Sequence, residues 1–144
     1  MLIGQYSSKL TDKDRISIPK KFREELGDEL IVAKWYESCL VLVSRNIWDK
    51  LLARLVGDSK LVTEPVRDID RFVLASAFEI KLDNQGRFIV PEVLRIYAGI
   101  EYEVTFVGLG DRIEVWSSDK WRELEDVAER KASVAIEKIA RDEK

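Results

Sequence analysis

The stretch LTDKDRISIPKKFR at residues 10–23 returns in altered form as LDNQGRFIVPEVLR at residues 82–95. Without a gap, Leu10, Arg15, Pro19 and Arg23 fall on Leu82, Arg87, Pro91 and Arg95. Ile16, Ile18 and Phe22 fall on Phe88, Val90 and Leu94, so apolar slots stay apolar. The same offset of 72 carries Gly27 onto Gly99, Glu29 onto Glu101 and Val32 onto Val104. A constant offset that keeps residue type as well as spacing marks one supersecondary unit used twice. Whatever chemistry the unit carries is present in two copies, which suits a target that is itself repeated or two-fold.

Working outward, each copy opens on a short strand, 4–10 and 76–82, the second alternating apolar and polar as a half-buried strand does. A tight turn follows. In Asp83-Asn84-Gln85-Gly86 the glycine is free to take positive φ; in Thr11-Asp12-Lys13-Asp14 an aspartate, which tolerates that region, stands in its slot. Strands over 15–18 and 87–90 end at Pro19 and Pro91, each expected at the first position of a short helix. Gly27 and Gly99 close those helices. Further strands are expected over 29–35, 40–43, 102–107 and 112–116.

A helix capped by Ser44 then carries Ile47, Trp48, Leu51, Leu52, Leu55 and Val56 at helical spacing. Gly57-Asp58-Ser59 reads as a break, Pro65 opens a linker helix through Ala75, and a long helix begins near Ser117 or Ser118. The expected division is a first repeat over 1–57, a linker helix over 58–75, a second repeat over 76–125 and a helical extension over 126–144. At 144 residues the chain can bury one good core, whereas each half alone would be marginal. The halves should therefore share a pseudo-two-fold core.

Composition narrows the function. Histidine is absent, which removes the commonest general base and metal ligand. The single cysteine, Cys39, lies in the apolar run CLVLV and reads as a buried small hydrophobe in a reducing cytoplasm. No Gly-rich phosphate loop, signal-peptide layout or ~20-residue apolar span is present. Asp12 and Asp14, on a lysine-rich turn without further ligands, make no convincing metal pair. The expectation is no enzyme, cofactor, metal, small-molecule ligand or membrane.

Net charge is −3, with an isoelectric point near 5.2, yet charge distribution outweighs its sum. Residues 9–23 hold Lys9, Lys13, Arg15, Lys20, Lys21 and Arg23 against Asp12 and Asp14 alone. A basic cluster that coincides with the repeated motif on an acidic chain points to a polyanion. Arg87 and Arg95 have a second reading as internal ion-pair partners of Asp83 and Glu92, their neighbours in sequence. The four tryptophans read as core or interface residues.

The twofold pattern of turn, Arg, apolar-x-apolar-Pro and short helix resembles the AbrB-type swapped-hairpin unit. Two copies in one chain, with EIKLDNQGRFIVPEVLRIYAG and EVWSSDKW, resemble the MraZ family over about residues 3–125. The resemblance implies an α+β fold of two tandem AbrB-like ββαββα-type repeats with a C-terminal helix. It further implies a nucleoid-associated regulator of the division and cell-wall gene cluster, binding short direct G-rich repeats in double-stranded promoter DNA as a homo-oligomeric ring. The family's D-x-x-x-R element maps onto Asp83 and Arg87, supported by Gly86. In the first copy Arg15 is kept while Thr11 replaces the aspartate, so the Thr11 hydroxyl is the expected brace of Arg15. Lys9, Lys13, Lys20, Lys21 and Arg23 are then the expected phosphate contacts, and Arg15, with Arg87, the expected guanine reader. The competing reading is an AbrB-like protein–protein module or antitoxin with no DNA target of its own.

Overall fold

Strand pairing crosses between the two repeats from the first element onward. A computed structural model of the chain describes residues 1–56 and 63–142. In order it has β1 (Leu2–Lys9), β2 (Arg15–Ser17), α1 (Lys20–Leu26), β3 (Glu29–Lys34), β4 (Leu40–Ser44) and α2 (Arg45–Val56). After the undescribed residues come α3 (Glu64–Ile69), β5 (Phe78–Lys81), β6 (Arg87–Ile89), α4 (Glu92–Ala98), β7 (Glu103–Gly110), β8 (Ile113–Ser117) and α5 (Ser118–Asp142). The expected break at Gly57-Asp58-Ser59, and with it the boundary between 57 and 58, lies outside the described residues.

Six strands form one antiparallel sheet in the order β1-β7-β8-β4-β3-β5, and β2 pairs with β6 in a separate ribbon. Exchanging the repeats reverses the sheet order into itself. The first strand of each copy is donated to the other copy's hairpin, which is the swap. The pseudo-two-fold axis passes through the pair Val41–Glu114 in the sheet and through Ile16–Phe88 in the ribbon.

One part of the expected register is corrected. Lys9 pairs with Glu103 while its repeat mate Lys81 pairs with Glu29, so Glu29 corresponds to Glu103, and Leu30 to Val104. The offset rises from 72 to 74 after Gly99 because the loop into β7 is two residues longer. Two residues is one full strand period, so inward and outward positions are preserved. A second correction concerns Pro19 and Pro91, which sit one residue ahead of the helix as extended N-caps (φ −51°, ψ 135° and φ −55°, ψ 137°). Each proline's carbonyl accepts the first helical N–H groups, from Phe22 and Arg23 or from Leu94 and Arg95.

The sheet buries both faces. On one lie β2, β6, α1 and α4, with Ile16, Ile18, Phe22, Phe88, Val90 and Leu94 packed on Leu30, Val32, Val104 and Phe106. On the other, Ile31, Ala33, Val41 and Val43 meet Trp35, Cys39, Trp48, Leu51, Val73 and Trp116. The shared core thus has two layers, one on each side of the sheet, and each draws on both repeats. The helix that begins at Glu64 runs on through Leu74 with Ala75 as its C-cap, and its end widens: the Ala75 N–H bonds the Asp70 carbonyl five residues back, at 3.1 Å. Ser76 anchors this end, donating to the Val73 carbonyl and accepting the Lys34 N–H, both at 3.0 Å. Cys39 is fully buried, and burial, with Glu114 and Glu37 adding to it, pushes its thiol far above the ordinary value. Among the described residues no helix is long and apolar enough to cross a membrane.

Candidate nucleic-acid interface

Both turns have the geometry the repeat demands. The Asp14 N–H bonds the Thr11 carbonyl and the Gly86 N–H bonds the Asp83 carbonyl, each at 3.0 Å. Asp14 and Gly86 both take positive φ, 56° and 74°. The turns then clasp each other across the pseudo-axis: the Ile18 N–H donates to the Gly86 carbonyl and the Val90 N–H to the Asp14 carbonyl, at 3.0 Å each. Between them the ribbon has the register Arg15–Ile89, Ile16–Phe88 and Ser17–Arg87. Because strand side chains alternate, Ile16 and Phe88 enter the core while Arg15, Ser17, Arg87 and Ile89 share the outer face.

The two arginines differ in their bracing. Asp83 accepts the Arg87 and Gln85 N–H groups on Oδ1 and the Arg87 Nε on Oδ2, all at 2.9 Å. These bonds, the Arg87 backbone N–H foremost, hold the Asp83 carboxyl below its ordinary value of 3.8. Arg15 has no such brace. The Thr11 hydroxyl does not bond it, and among the described residues its guanidinium has no hydrogen bond or ion pair. A threonine hydroxyl is one bond shorter in reach than a carboxylate fork, and it carries no charge to hold the cation. Arg15 is half-buried, and none of its guanidinium nitrogens is among the buried unpartnered ones.

The Asp83 brace makes an acid-sensitive contribution. A carboxyl depressed on folding stabilises fully above its unfolded pKa, and that stabilisation is lost as pH falls through the folded value. Wild type should therefore melt higher than Asp83→Asn at pH 6, with the gap closing as pH drops below about 3.8. Thermal melts of both proteins between pH 6 and pH 2.5 would measure it; a gap that stays constant would show that Asp83 does not act through its charge.

The other candidate cations are placed unevenly. Lys13 is exposed in the turn before β2, and Lys20 is exposed at the start of α1. Lys9 lies over the Tyr102 ring at 5.6 Å and Lys21 over the Tyr6 ring at 6.0 Å, both exposed. Arg23 is not brought onto the ribbon's outer face. It is half-buried against Gly86, where an added Cβ would stand 2.0 Å from its Nη1, and its Nε is buried without a partner. Its repeat mate Arg95 lies 3.5 Å from Asp14, not on Glu92 as the sequence suggested. Each helix thus braces the other repeat's turn. Arg15, Arg87 and Asp83 line one open depression, joined by Lys81 and Ile89, which sequence reasoning left out. The mismatch of Ser17 against Ile89 was the available signal.

A family profile described as "MraZ protein, putative antitoxin-like" matches residues 1–72 and again residues 73–142. This chain belongs to the MraZ family. Among MraZ relatives, the transcriptional regulator MraZ of Leuconostoc mesenteroides is 42% identical over 84% of this chain and 84% of its own. That of Thermoanaerobacter sp. is 39% identical over 97% of this chain and 94% of its own. That of Alkaliphilus metalliredigens is 41% identical over 88% and 87%. A solution structure of PHS018 from Pyrococcus horikoshii covers 80% of this chain and 88% of its own at 16% identity, with a TM-score of 0.33, too low to inform the fold. The MraZ match places the chain among regulators of transcription, not enzymes.

Proposed function

We propose that the chain is a sequence-specific DNA-binding regulator of the bacterial division and cell-wall gene cluster, associated with the nucleoid, that engages short direct repeats in promoter DNA as a ring of identical subunits. The observation that supports it most is the ribbon. Two short strands present Arg15 and Arg87 on one outward face, and a major groove admits a two-stranded ribbon of this kind. Arg15, without a partner among the described residues, is the residue suited to a bidentate guanine contact. Lys9, Lys13, Lys20 and Lys21 supply phosphate contacts that fix position and affinity without reading sequence. One subunit offers few base contacts, so several subunits on successive repeats gain affinity through effective concentration.

Four lysines and Arg15 on phosphates or bases predict a log–log salt slope on the order of −4 per subunit engaged. Fluorescence anisotropy on the chain's own promoter and on a scrambled duplex, from 50 to 300 mM salt, would test this. Steep salt dependence with preference for the promoter is the expected result. A flat response, or equal affinity for both duplexes, would favour the protein–protein module. That second reading draws on α4, where Val93 and Ile96 are exposed at the positions held in α1 by Lys21 and Glu24.

A further inference from the structure

We propose that Ile89 is a base-reading residue that packs on the 5-methyl group of a thymine beside the guanine contacted by Arg15, an inference that rests on the DNA-binding reading of the ribbon. Ile89 is 56% exposed on the outer face at one end of the ribbon, directly across the strands from Arg15. A lone exposed isoleucine is unremarkable on a protein surface, and isoleucine favours strands. Its setting separates it from that ordinary case. The outer face carries two cross-strand pairs, Arg15–Ile89 and Ser17–Arg87, related by the pseudo-two-fold axis through Ile16–Phe88. The axis superposes arginine on arginine but isoleucine on serine.

The two ends of the ribbon therefore offer different chemistry. One has an unbraced arginine beside an apolar side chain; the other has an arginine held by Asp83 beside a hydroxyl. Cross-strand side chains stand about 4.5–5.5 Å apart, and successive base pairs about 3.4 Å along the axis, so one pair of side chains spans two adjacent base pairs. In the major groove a guanine presents two acceptors to an arginine fork, while thymine alone presents a methyl group to an apolar contact. The surrounding cations, Arg15, Arg87 and Lys81 in the same depression, make a polyanion the favoured occupant over an apolar protein surface. A ribbon read in this way has a direction, so each subunit lies on its site in one orientation only, as direct repeats require.

The test uses the full chain and its own promoter duplex, with the thymines of each repeat replaced one position at a time by deoxyuridine, which lacks the methyl group. Wild type should lose about fourfold in affinity per engaged repeat at one thymine position, the worth of one buried methyl group. Ile89→Ala and Ile89→Ser should bind the thymine and deoxyuridine duplexes alike at that position. Val93→Ala, which changes the neighbouring apolar helix face, should keep the discrimination. Selective promoter binding with no deoxyuridine penalty at any position would overturn the role of Ile89 and leave the DNA-binding reading standing. So would a penalty that persists in Ile89→Ser, including the case where that variant changes only the assembly mass in sedimentation. Wild type that prefers the promoter no more than a scrambled duplex would overturn both.

Discussion

Arg15→Ala is expected to abolish selective promoter binding while leaving the fold and the assembly unchanged. The guanidinium has no partner among the described residues, so removing it strands no buried counter-charge. The backbone of residue 15 is held independently, its carbonyl accepting the Thr11 N–H at 2.9 Å and its strand paired with β6. Melting temperature should therefore move little. A bidentate guanine contact is worth about 1–3 kcal/mol, or roughly 5- to 150-fold, and the loss multiplies over each repeat engaged. Arg15→Lys separates charge from geometry: it should keep the salt dependence and lose the guanine preference, because an ammonium cannot fork. Arg87→Ala should differ in kind, since it removes the Nε partner of Asp83 and loosens the second turn. Anisotropy titrations, circular dichroism and sedimentation on the three variants would decide the matter, and tight promoter-selective binding by Arg15→Ala would refute the assignment.

The two-fold repeat made much of this architecture legible before any coordinates. It foretold the paired turns, the positive φ of Asp14 and the matched apolar slots of Ile16 and Phe88, which are buried, while the family resemblance implied the α+β class. Local sequence failed where the fold joins distant segments. Arg95 was matched to Glu92 because they are neighbours in the chain, whereas the hairpin swap delivers Asp14 from 81 residues away. Arg23 looked like one more surface cation, and only the clasped turns reveal that it fills the space beside Gly86. The slip from 72 to 74 was invisible because two residues preserve strand alternation, so either alignment places apolar residues inward. Ile89 escaped notice for a related reason: within its own copy it is an ordinary strand residue. Its meaning arises from Arg15, which comes from the other copy.

Phe22→Ala should produce the largest loss of stability, and the way that loss is reported tests how the two layers are coupled. Phe22 is fully buried beneath the ribbon, its ring edge-on to Tyr6 at 5.1 Å between centroids, in the layer that packs both repeats' hairpins onto the sheet. Truncating a buried phenylalanine costs about 3–5 kcal/mol, a large share of a typical domain's 5–15 kcal/mol. At a urea m-value near 2 kcal/mol/M, the midpoint should fall by roughly 1.5–2.5 M. All four tryptophans belong to or pack against the opposite layer. Tryptophan fluorescence therefore observes the face that the substitution does not touch. Leu30 and Val32 support the ribbon from one side of β3, while Ile31 and Ala33 face the tryptophan layer from the other. The same strand cannot release one face and keep the other, so fluorescence and far-ultraviolet circular dichroism should shift together and stay coincident. Fluorescence that holds its wild-type midpoint while circular dichroism loses the ribbon would mean that the layers unfold separately.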